Sequence, residues 1–107
     1  MILCTMISKI ENIFETHSIC KSIFVCRIHE FQTYYTILKH KDYPICKISK
    51  IDKFNNNFYR ILLIDEYDAK NFTLLQNDLR MQDINLVLYI NVNELINSIS
   101  YIKFIVI

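Results

Sequence analysis

The sequence predicts a small three-layer α/β domain with a mainly parallel sheet and helices on both faces. Three observations predict it. Strand-like runs at 22–26, 45–48, 59–64, 85–90 and 103–107 are apolar almost throughout, as strands buried on both faces are. Segments with apolar residues at helical spacing separate them, so strand and helix alternate from one end to the other. A length of 107 residues, 52% of them hydrophobic and 21% charged, suits a single domain over 1–107 with one modest core.

In chain order, Ile7, Ile10 and Phe14 recur at helical spacing with Ser8, Lys9, Glu11 and Glu15 between them. This predicts a short amphipathic helix over 7–16. Ser22-Ile23-Phe24-Val25-Cys26 reads as a buried strand. Phe31, Tyr34, Tyr35 and Leu38 then fall at i, i+3, i+4 and i+7, predicting a helix over 29–40. Asp42-Tyr43-Pro44 stops it, because Pro lacks an N–H and disfavours helix in the residue before it. A short strand follows at 45–48, then one or two helical turns through Ile48, Ile51 and Phe54. Asn55-Asn56-Asn57 predicts a turn, Asn being the non-Gly residue that best tolerates positive φ. The run 59–64 is expected to be the central strand. Phe72, Leu75 and Leu79 have helical spacing. Asn85-Leu86-Val87-Leu88-Tyr89-Ile90 is another buried strand, Leu95, Ile96 and Ile99 mark a helix over 92–100, and 103–107 closes the chain as a strand. Solvated, that last apolar run would be an aggregating edge, so it is expected to pair beside 86–90 or across an interface with a second copy.

Composition excludes several functions. The chain has no Gly or Trp, one Pro and one Ala against 20 Ile, a bias that an AT-rich genome explains. Without Gly it has neither a Walker A loop nor a dinucleotide-binding fingerprint, since both need backbone that closely approaches phosphate. A net charge of +1 gives no overall attraction to nucleic acid or an acidic membrane, which leaves room only for a local basic patch. The first basic residue, Lys9, follows the apolar start instead of preceding it, so no signal peptide is expected. No apolar run reaches the ~18 residues that span a bilayer. The expected location is intracellular, nuclear or cytoplasmic, with no membrane partner and with Cys4, Cys20, Cys26 and Cys46 as reduced thiols.

The stretch from Arg60 to Asp68 carries the candidate site. Its apolar strand ends in three carboxylates within four positions, Asp65, Glu66 and Asp68. In an open α/β sheet, groups at the carboxyl ends of strands line the crevice where ligands bind. Ile61-Leu62-Leu63-Ile64-Asp65-Glu66 has the form of a Walker B strand, with Asp to hold Mg²⁺, Glu to orient a water, and Asn91 or Asn93 as a polar sensor. The same pattern serves as a solvated strand end. A receiver-type acidic pocket would place its acidic pair after the first strand. His17, Cys20, Cys26 and His29 are zinc-ligand types, but a strand between the two Cys separates them by roughly 20 Å at ~3.3 Å per residue. No general base is placed beside any thiol by sequence alone, and a Ser nucleophile elbow needs flanking Gly.

Taken as an ordered set, the segments resemble the C-terminal RecA-like lobe of superfamily 2 helicases, particularly the chromatin-remodelling-type and large-DNA-virus branches. Lys21-Ser22-Ile23-Phe24-Val25-Cys26 looks like the motif IV strand, and Phe31 to Leu38 like the helix after it. Ile51-Asp52-Lys53-Phe54 and Arg60-Ile61-Leu62-Leu63-Ile64 look like that family's helix ending in Phe and its Leu-rich strand. Leu74-Leu75-Gln76 and Leu86-Val87-Leu88-Tyr89-Ile90 resemble motif V and the strand after it. The chain departs from the family where motif V has Gly, since Asn71-Phe72-Thr73 stands there. It also lacks the arginine-finger motif VI: Asn91-Val92-Asn93-Glu94 follows Ile90. The resemblance therefore implies a degenerate or truncated lobe without catalytic residues, contacting nucleic acid or a second protein. Homo-oligomers through the C-terminal strand are a further expectation. Asp65, Glu66 and Asp68 are cofactor-binding candidates only under the alternative, an ATP–Mg²⁺ site; a purely structural interaction module is the remaining possibility.

Overall fold

The computed structural model describes residues 2–16, 21–56, 58–71, 84–92 and 103–107. Its described elements are α1 (Ile2–Thr16), β1 (Lys21–Cys26), α2 (Phe31–His40), β2 (Ile45–Lys47), α3 (Ile51–Asn55), β3 (Ile61–Asp65), α4 (Glu66–Lys70), β4 (Ile84–Tyr89) and β5 (Lys103–Val106). Single 3-10 turns, Ile28–Glu30 and Ile48–Lys50, lead into α2 and α3. Four strands form a parallel sheet in the order β2-β3-β1-β4, and β5 extends it, also in parallel, beyond β4.

The period-2 geometry of a strand divides the core into two layers. Phe24, Cys26, Ile45, Ile61, Leu63 and Leu88 face one side, where Ile7 and Ile10 of α1 and Tyr34 and Leu38 of α2 cover them. Ile23, Val25, Cys46, Leu62, Ile64, Val87 and Tyr89 face the other, where Phe54 of α3 and Ala69 of α4 pack. Both faces of the sheet are thus covered, which is why its strands read as apolar runs without alternation. The three-layer α/β class is the one the sequence predicts.

Several details differ from the sequence-based expectation. The central strand is β1, not 59–64: β1 lies between β3 and β4, and from Ser22 to Cys26 it is at most 1% exposed. Apolar content alone could not separate the two, because β3 is buried almost as completely. Helix α1 begins at Ile2, five residues before the expected start. Asn55 closes α3 and Asn56 follows with φ −89°, so neither adopts the left-handed conformation. That conformation falls instead on Asp42 (φ 64°) after α2 and on Asn91 (φ 59°) after β4. In a chain without Gly, Asn and Asp are the residues whose short polar side chains make it tolerable. The expected helix around Phe72–Leu79 lies outside the described residues, as does the helix expected over 92–100 apart from Val92, which is buried and non-helical.

The C-terminal strand pairs as expected beside β4, with Leu86, Val87, Leu88 and Tyr89 opposite Lys103, Phe104, Ile105 and Val106. Two further backbone bonds continue the ladder, from the Ile107 N–H to Tyr89 O at 2.9 Å and from the Asn91 N–H to Ile107 O at 2.8 Å.

Candidate functional site

Strands β1 and β3 are neighbours, in parallel register with Cys26 opposite Asp65. The chain leaving β1 turns into α2 on one face, and the chain leaving β3 turns into α4 on the other. Adjacent strands whose connections diverge in this way define a topological switch point, where open α/β sheets form a crevice. The acidic stretch singled out in the sequence sits at this point.

Its carboxylates are not left as a bare strand end. Asp65 is the N-cap of α4, and its Oδ1 accepts hydrogen bonds from the amides of Tyr67 and Asp68, both at 2.9 Å. An apolar strand followed by Asp suits this role, since the cap residue keeps extended dihedrals (φ −94°, ψ 176°) while its oxygen satisfies amides that the helix cannot. Glu66 Oε1 accepts from the Ile28 N–H at 3.4 Å, so the end of β3 is tied to the turn after β1. Asp68 lies in the first turn of α4. Burial, and then the charge of Asp65, raises its pKa, partly offset by a backbone hydrogen bond at Asp65.

Sequence reasoning did not single out Glu30. It reaches this region from the 3-10 turn after β1, and its charge acts on Cys26 together with those of Asp65 and Glu66. Burial first, and these three carboxylates next, push the Cys26 thiol up to about 12. Glu30 Oε1 is buried without a hydrogen bond and lies 3.9 Å from His29 Nε2. The signal in sequence was the position of Glu30, four residues beyond a strand that proves to adjoin β3. Arg27 closes the other flank, its Nε donating to Asn91 O at 2.8 Å. Asn91 thus serves β1 and β5 through its backbone, and Asn93 lies outside the described residues.

Of the four residues of zinc-ligand type, only Cys26 and His29 lie among the described residues. Cys26 is fully buried in the sheet while His29 is 67% exposed, and His17 and Cys20 lie outside the described residues. Among the described residues no group of three or more His, Cys, Asp or Glu side chains is arranged to hold a metal ion. Cys26 and Cys46 are free thiols, and burial raises the pKa of Cys46 also to about 12, against a smaller lowering by Lys21. Among the described residues no helix is long and apolar enough to cross a membrane. Comparison with protein-family models, with curated proteins and with solved structures returned no match.

Proposed function

We propose that the chain is a catalytically silent domain of the kind its segments resemble, a helicase C-terminal-like lobe that acts by contacting nucleic acid or a second protein. The observation that carries this reading is the internal use of the Walker B-like pair. Asp65 caps α4 and Glu66 holds the Ile28 amide, so each gives a carboxylate oxygen to the chain's own backbone. The charges of Glu30, Asp65 and Glu66 also act together on Cys26 at the end of β1, an arrangement that disfavours a further anion there.

An assay of ATP turnover with Mg²⁺ tests this. The expected result is a rate no higher than buffer, because phosphoryl transfer depends on a phosphate-cradling loop and on an arginine finger, the latter alone contributing ~10³–10⁵ in rate. Turnover that Asp65→Ala abolishes would overturn it and establish the alternative, an ATP–Mg²⁺ site on Asp65, Glu66 and Asp68. That alternative draws on the placement of these residues at the switch point.

A further inference from the structure

A second cluster lies where α2 borders the edge strand β2. Phe31 and Tyr35 are one helical turn apart, and their rings stack with centroids 6.2 Å apart and planes 6° from parallel. One turn further, Lys39 Nζ donates to the Tyr35 hydroxyl at 3.1 Å and lies 5.4 Å from the ring centroid. Lys47, at the end of β2, places its Nζ 4.4 Å from the same centroid. Two consecutive elements, α2 and β2, therefore bring two ammonium groups to one ring, Tyr35, of a parallel pair. Among the described residues neither lysine is paired with a carboxylate.

Charge is distributed to match. Residues 31–53 hold five Lys against two Asp, whereas the rest of the chain holds seven basic and nine acidic residues. The near-neutral total thus conceals a basic α2–β2–α3 segment and an acidic remainder, of which Glu30 stands at the N-terminal end of α2.

We propose that this face binds single-stranded nucleic acid, with Phe31 and Tyr35 as the stacking platform and Lys39 and Lys47 as phosphate contacts. The inference rests on the reading of the chain as a contact module and supplies its surface and partner. Proteins that hold single strands without sequence preference combine lysines along the backbone with aromatic rings under the bases. Both rings are half-buried against the core layer under α1 and α2, and an ammonium held on such a ring only by a cation–π contact can leave it for a phosphate. An acidic protein would satisfy the lysines but would not use the parallel rings. A duplex hides the base faces those rings would stack on.

Fluorescence anisotropy of the full chain with labelled fifteen-nucleotide oligo-dT, oligo-U and a duplex, from 50 to 200 mM NaCl, tests it. Single strands should bind more tightly than duplex, with log affinity falling against log salt at a slope of about −1.4, or roughly −0.7 per lysine. Lys39→Gln and Lys47→Gln should each flatten the slope by about 0.7. Tyr35→Leu should weaken binding at least ~5-fold with the slope unchanged. A thermal melt of each variant excludes misfolding. The proposal fails if no oligonucleotide binds at 50 mM NaCl, if the duplex binds better, if poly-glutamate competes as well as oligo-dT, or if both lysine variants bind like the parent. Single-strand binding that ignores these variants would discard the surface and keep the contact reading, whereas ATP turnover would discard the contact reading by itself.

Discussion

Asp65 stands where an apolar strand meets five residues of helix, and its Oδ1 takes the amides of Tyr67 and Asp68. Replacing a capping Asp with Ala costs ~0.5–2 kcal/mol, whereas Asn keeps the acceptor. Asp65→Ala should therefore lower stability by about 1 kcal/mol in urea titration and Asp65→Asn by much less; equal effects would mean that the charge, not the cap, matters. Asp68 gives a second prediction, with the opposite sign. Its pKa is raised in the folded state, chiefly by burial and then by Asp65. A raised folded pKa contributes stability that is present below the unfolded value and lost as pH rises through the folded one. At neutral pH the ionised Asp68 therefore weakens the fold. Asp68→Asn should raise the urea midpoint at pH 7, and the gain should vanish below the ordinary carboxylate pKa. Urea titrations from pH 3 to pH 7 read this directly.

At the scale of elements, β5 carries the clearest dependence. It covers the outer edge of β4, and Ile105 and Ile107 are partly buried against the α1–α2 layer of the core. Fully burying an Ile is worth roughly 1.5–3 kcal/mol, and partial burial a fraction of that. Lost ladder bonds add to it in a domain whose total stability is ~5–15 kcal/mol. Removing Lys103–Ile107 should leave the chain insoluble or without a cooperative thermal transition. A soluble truncated chain that still melts cooperatively would show that the sheet is complete at β4. The strands and α2 were legible in sequence, because apolar runs and the Tyr34–Leu38 spacing record burial locally. Helix α4 was not legible: its five residues are too few for a period, and exposed Tyr67 disguises its face. The left-handed positions at Asp42 and Asn91 were missed for a similar reason, since Asn55-Asn56-Asn57 offered a stronger local signal.

At the scale of the molecule, what sequence could not supply is adjacency. Strand order depends on pairings far apart in the chain, so nothing in 21–26 announces that it lies between β3 and β4. The candidate site inherits this. Asp65, Glu66 and Asp68 could be located from the strand end alone. That Glu66 would reach the Ile28 amide, or that Glu30 would act on the same strand end, follows only from β1 pairing with β3. The same holds for Lys47, which reaches Tyr35 because β2 runs beside α2. The central claim is that the carboxylates at the switch point serve the fold and do not hold a metal nucleotide. Amide NMR of the isotopically labelled chain, titrated with ATP and Mg²⁺ together, tests it most directly, because the Ile28, Tyr67 and Asp68 amides donate to these carboxylates. The account predicts that the three resonances stay in place through millimolar ligand; a saturable shift of all three, absent in Asp65→Asn, would contradict it.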